Sequence, residues 1–161
     1  MDFLRVRLVG RCVTYLVGLA LAVAMVQPTG AIAQTANLIA GIGLVVKVDR
    51  GGKLGQRARK IAALRATGER VELRGTCLSA CTMYLDLPGA CVGPEAVFGF
   101  HGPSRNGRPL PALEFEHWSK LMAAHYREPL RGWFMSEGRF RTAGYFQISG
   151  AELIRMGYPA C

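Results

Sequence analysis

The chain reads as an α/β protein, with a mainly parallel sheet covered by helices in one compact domain. Three observations predict it. Strand-like and helix-like segments alternate in the order β-α-β-α-β-α-α. Each is closed by a glycine- or proline-containing turn. The 161 residues, half of them hydrophobic and 19% charged, suit one core-forming domain and exclude disorder or a collagen-like repeat.

The elements follow in order. Residues 1–33 have the pattern of an export signal. Arg5, Arg7 and Arg11 form a basic start, Thr14 to Val26 is almost wholly apolar, and Ala31-Ile32-Ala33 offers small residues for cleavage after Ala33. The apolar run is short for a membrane span, which needs roughly 20 residues. An uncleaved N-terminal anchor is the alternative, and either would leave the domain periplasmic or secreted. No adjacent arginine pair is present, which argues against export in folded form. Removing 1–33 takes away three arginines, one aspartate and Cys12, so the formal charge of +9 becomes +7. The domain is then 34–161, with 34–39 a loose tail.

Ile42 to Val48 is β-branched and continuous, as in a buried strand, and Asp49-Arg50-Gly51-Gly52 is a turn. Lys53 to Thr67 is a helix with Leu54, Ala58, Ile61 and Ala62 on one face and Gly68 as its stop. Val71 to Leu73 is a short strand, Gly75 opens a turn, and Leu78 to Leu87 is helical before Pro88-Gly89. Ala96 to His101 is the next strand, closed by Gly102-Pro103. A polar loop, Ser104 to Pro111, leads to a helix from Ala112 to Arg127 that Pro129 interrupts and that resumes to Ser136. The last helix is Gly150 to Met156. There is no internal repeat.

Four cysteines follow the signal: Cys77, Cys81, Cys91 and Cys161. An even number in an oxidising compartment predicts two disulfides, with three possible pairings. The expectation is Cys81–Cys91 with Cys77–Cys161. A zinc site at Cys77-x3-Cys81 lacks a second ligand pair. A thiol nucleophile at the helix start is the other functional reading of this cysteine pair.

Ligands of open α/β sheets gather at the carboxyl ends of strands. Three sequences fall there: Gly51-Gly52, Gly75 to Cys81, and Phe98 to Pro103. Ser79 at a helix start is either an N-cap or a nucleophile whose oxyanion the Ala80 N–H would hold. Gly52 would supply a second donor, because a glycine permits close backbone approach. His101, at a strand end, is either a structural hydrogen-bonder or the general base. The segment is not the Gly-x-Ser-x-Gly elbow, because positions 77 and 81 are cysteine.

Gly51-Gly52 after a strand, a helix, a strand leading to Gly-x-x-x-Ser-Ala (Gly75 to Ala80), and a strand ending in Phe100-His101-Gly102-Pro103 together resemble the Clp-protease/crotonase superfamily. They are most similar to small exported Clp-like periplasmic proteins with a Cys-x-Ser-Ala-Cys core. The resemblance covers roughly 43–103 and continues weakly through Ile148 to Glu152 and Met156-Gly157. It implies a serine peptidase or esterase with Ser79 as nucleophile, His101 as base, and Gly52 and Ala80 as oxyanion donors. It implies no metal or organic cofactor, and it makes a homo-oligomer plausible. The 22 residues from Ser79 to His101 are fewer than the family's spacing. The family's third member, an aspartate, would fall at or near Tyr145, and no aspartate follows Asp86. Glu137 and Glu152 do not match the pattern. The chain is therefore a Ser-His dyad, a triad completed by an unexpected group, or an inactive binding or assembly module. Crotonase-type acyl-CoA binding is not expected outside the cytoplasm, nor is an ATPase partner, since the periplasm lacks ATP. A Ser-Lys arrangement would have to use Lys53 or Lys120.

Residues 47–74 hold nine basic side chains against three acidic ones. This run would be a solvated helix face, or would make weak contact with an anionic membrane surface. No Phe, Tyr or Trp interleaves it, so nucleic-acid binding is not expected. On the long helix, Trp118, Leu121, Met122 and His125 share a face suited to core or oligomer contact. His117 and His125 are assigned no chemistry.

Overall fold

The computed structural model describes residues 43–161. The signal segment 1–33, the tail 34–39 and Ile42 lie outside the described residues. The chain runs β1 (Leu44–Asp49), α1 (Leu54–Thr67), β2 (Val71–Leu78), a 3-10 helix (Ser79–Asp86), β3 (Ala90–Val92) and β4 (Val97–Phe100). It continues through α2 (Ala112–Ala123), α3 (Leu130–Ser136), a short 3-10 turn (Gly138–Phe140), β5 (Phe146–Ser149) and α4 (Gly150–Arg155). The expected α/β class is observed, with a sheet that is mostly parallel.

β2 organises the sheet. One edge pairs with β1 along most of its length. The other edge takes β3 opposite residues 71–73 and then β4 opposite residues 76–78, all parallel. β5 closes the far side antiparallel to β4, so the sheet is mixed rather than wholly parallel. The sequence reading stopped β2 at Leu73 and made Gly75 a turn. In the structure the strand runs on to Leu78, and the β1–β2 register shifts between Val46 and Val48. Gly75 lies against the Lys47 backbone there, where a Cβ would collide with it. A glycine inside a strand commonly marks such an irregularity rather than a chain reversal.

α1 begins and ends as expected. Gly68 closes it in the left-handed conformation, with φ 66°. Ile61 and Leu64 are buried in the core, with Leu54 and Ala58 packed against it. α2 stops at Ala123 rather than Arg127; the last turn tightens through His125 N–H to Met122 O and Tyr126 N–H to Ala123 O. Ser119, Met122 and Ala123 form its buried face, and Trp118 sits half-exposed beside it. An aromatic cluster links β4, Tyr126 after α2, α3 and, through Trp133 and Phe146, β5. Phe100 meets Tyr126 and Trp133 edge-on at 5.6 and 5.8 Å, and Tyr126 meets Phe134 at 5.1 Å. Such edge-to-face pairs add modest specific attraction to a large apolar burial.

Both disulfides differ from the expected pairing. Cys77 bonds Cys81, and Cys91 bonds Cys161. The first closes a tight turn, with Cα atoms 5.3 Å apart. The second follows from a pairing the sequence did not reveal: the C-terminal residues run beside β3. Val92 N–H donates to Pro159 O at 2.8 Å, and Cys161 N–H to Val92 O at 3.0 Å. All four cysteines among the described residues are oxidised, so none of these is a thiol nucleophile, and among the described residues no group of three or more His, Cys, Asp or Glu side chains could hold a metal ion. Two disulfides fit an oxidising, non-cytosolic compartment. Among the described residues no helix is long and apolar enough to cross a membrane.

Candidate active site

The site is built where three chain segments meet at the carboxyl ends of β1, β2 and β4. The β1–α1 turn is the first. Gly51 and Gly52 adopt φ 101° and 118°, conformations that favour glycine. Asp49 anchors the turn: its Oδ1 accepts from Gly51 N–H at 2.8 Å and from the Arg57 guanidinium at 2.9 Å. Arg57 also donates to Gly51 O at 3.0 Å. Its side chain is only 10% exposed and stacks over the buried Tyr84 ring at 4.5 Å, so this cation belongs to the scaffold. The Gly51 N–H is thus occupied, while among the described residues Gly52 N–H has no backbone acceptor.

Ser79 is the second segment. It is the first residue of the 3-10 helix, not its cap; Leu78 occupies the cap position. Its φ is 54°, a left-handed value rare for a residue with a side chain. Non-glycine residues held this way are often found at functional sites. Two neighbours hold it. A Cβ on Gly51 would stand 2.7 Å from Ser79 Cβ and 3.1 Å from Ala80 N, so the glycine turn sits directly on the serine. Thr82 Oγ1 donates to Ser79 O at 2.7 Å and lies 2.7 Å from the buried Tyr126 hydroxyl. The Cys77–Cys81 bond brackets the same three residues, 78–80. Ala80 N–H lies in the first turn of the helix, where amides have no partner within the helix.

His101 is the third. Leu78 pairs with Gly99 in the parallel β2–β4 ladder, so Ser79 and His101 leave the ends of adjacent strands one and two residues later. Paired strands lie about 4.8 Å apart. Ser79 is tied down through its carbonyl: among the described residues Oγ has no hydrogen-bond partner, His101 included. His101 is half-buried, and burial lowers its pKa from the ordinary 6.5, with a Gly102 backbone hydrogen bond opposing. The ring is therefore neutral near pH 7. Its ring neighbour is Tyr145, edge-on at 5.0 Å, and no carboxylate among the described residues hydrogen-bonds to it.

The remaining sequence-derived candidates fall elsewhere. Glu152 pairs with Arg155 on α4, and Glu137 ends α3. Lys120 pairs with Glu116 at 3.3 Å. Lys53 and Gly52 both line a cleft. Of the nine basic side chains in 47–74, all but Arg57 are exposed. Besides Arg57, Arg65 pairs with Asp86 and Arg74 with Glu72. Sequence reasoning missed Asp49 and Arg57 as the turn's anchor, Thr82 and Tyr126 as the serine's, and Tyr145 as the ring against His101. An Asp two residues before a Gly-Gly pair is the one local signal that pointed to any of them.

No protein-family model and no curated protein matches the chain.

Proposed function

We propose that this chain is an exported serine hydrolase of Clp-protease/crotonase type, acting on peptides or esters. The single observation that carries the reading is the glycine turn seated on a strained Ser79. It brings Gly51 of the Gly51–Gly52 turn against Ser79 and the Ala80 N–H, at the end of the strand that pairs with the one leading to His101. Ser79 Oγ attacks the scissile carbonyl carbon while the neutral His101 ring takes its proton. The oxyanion that forms is met by the Gly52 and Ala80 amides, and one such donor supplies roughly 3–4 kcal/mol to the transition state. His101 returns the proton to the leaving group, and water, deprotonated by the same ring, releases the acyl group. Side-chain rotation on substrate entry would bring Oγ to the ring, since catalytic hydrogen bonds are often loose without substrate.

The observation favouring a second reading, a non-catalytic binding or assembly module, is that His101 has an aromatic ring where the resemblance puts a carboxylate. Losing that orienting acid can lower the rate on the order of 10⁴-fold. A fluorophosphonate probe separates the two. The folded protein is expected to be labelled, Ser79→Ala to lose labelling, and His101→Ala to slow it about 10²-fold or more. A cooperatively melting protein that takes no label would establish the binding module instead.

A further inference from the structure

A cleft of about 740 Å³ opens beside the glycine turn, between the first turns of α1, Trp118 of α2 and the loop after β4. Gly52, the proposed oxyanion donor, is one of its lining residues. The loop that forms one wall is a tight hairpin: Arg105 and Arg108 exchange both backbone hydrogen bonds around Asn106 and Gly107, which have φ 52° and 75°. That is the pattern of a two-residue Asn-Gly turn, which holds its flanks rigidly.

The lining is chemically one-sided. Leu54, Leu110 and the Trp118 indole supply apolar walls, Lys53, Arg59 and Arg105 supply cations, and no carboxylate lines the space. Arg105 is engaged by Glu114 at 2.5 Å. Lys53 and Arg59 form no ion pair among the described residues. Gly55 makes the floor: a Cβ there would lie 3.7 Å from the Trp118 ring and 3.8 Å from an Arg59 guanidinium nitrogen. The absent side chain leaves the indole edge and the guanidinium converging on the same space.

We infer that this cleft is a specificity pocket for an acidic side chain adjoining the scissile carbonyl, so that the substrates are acidic peptides. A glutamate-like group fits both halves of the lining, its methylenes against Leu54 and Trp118 and its carboxylate between Lys53 and Arg59. A neutral isostere would leave both cations unpaired. Because Gly52 lines the pocket, a group bonded to a carbonyl held by that amide can enter it. This inference rests on the hydrolase reading.

The test compares two peptide thiobenzyl esters, identical but for a final glutamate or glutamine, on the full chain. The glutamate ester is expected to have a kcat/KM about tenfold or more higher, the worth of one charge-assisted hydrogen bond. That preference is expected to shrink in high salt. The double variant Lys53→Gln, Arg59→Gln is expected to bring the two esters to parity. Both side chains are exposed, and a cooperative melt verifies the variant's fold. Equal rates on the two esters in the unaltered protein, or a preference that persists in the double variant, overturns the pocket while Ser79-dependent turnover keeps the hydrolase reading. No Ser79-dependent turnover of either ester, together with no fluorophosphonate labelling, overturns the hydrolase reading and this inference with it.

Discussion

At the scale of single residues, His101 is the group whose setting most directly bears on chemistry. Burial holds its pKa below the usual 6.5, and His125, whose Nδ1 is buried with no hydrogen-bond partner among the described residues, is shifted the same way by the same cause. Both rings are easier to protonate in the unfolded chain than in the folded one. The stability they contribute is present above about pH 6.5 and is lost as pH falls through the folded values. Carboxylates do not share this window: Glu72 and Glu116, held below the usual 4.5 by hydrogen bonds to Arg74 and Arg139, act at lower pH. The melting temperature is therefore expected to drop between pH 7 and pH 5, and to drop less in His101→Gln, His125→Gln. A profile identical in the two proteins would remove the burial effect from both histidines. Hydrolysis should follow the same imidazole, with the acid limb of kcat/KM below 6.5. Ser79 and His101 could be singled out from the sequence because each follows a strand-like run beside a turn. Tyr145 could not, because its contact with His101 crosses 44 residues of chain.

At the scale of elements, the 3-10 helix is held to the rest of the molecule by a short polar chain inside an apolar core. Thr82 Oγ1 bonds the Ser79 carbonyl and the Tyr126 hydroxyl, and both Thr82 and Tyr126 are fully buried. Desolvation pushes the Tyr126 pKa far up, so the phenol is neutral and must find a partner. Thr82→Val strands that hydroxyl and frees the serine carbonyl together. It is expected to cost about 1–3 kcal/mol in denaturant unfolding. Tyr126→Phe leaves the Thr82–Ser79 bond in place and should cost less. If the phenylalanine variant proves the weaker of the two, Thr82 does not hold the turn. Neither residue carried a sequence signal, since a threonine in an apolar run and a tyrosine near a helix end are unremarkable until they meet.

At the scale of the whole molecule, the two disulfides do different work. Cys77–Cys81 spans four residues and holds the Ser79 turn, whereas Cys91–Cys161 spans 70 and fastens the C-terminus beside β3. In the chain-entropy account the longer loop stabilises by about 4 kcal/mol and the shorter by about 2 kcal/mol. Replacing Cys91 and Cys161 by serine is thus expected to lower the unfolding free energy more than replacing Cys77 and Cys81. The second pair should instead lower the rate of fluorophosphonate labelling. The reverse ranking in denaturant would mean that native packing around the Ser79 turn outweighs loop closure.

The amino-acid order alone determined the α/β class, the start and stop of α1, and the strand that leads to His101. Hydrophobic period and Gly-Pro punctuation are local properties, and they survive without knowledge of the partner segment. Only the tertiary structure decided the rest. β5 is a four-residue strand whose alternation (Phe146 and Ile148 half-buried, Gln147 and Ser149 exposed) is too short to stand out from a loop. Gly75 reads as a turn until β1 lies against it. The cysteine partners depend on where the last residues of the chain return. The Lys53–Arg59–Trp118 cleft exists because α1 and α2, far apart in sequence, border one space, and no local pattern encodes a distance between helices.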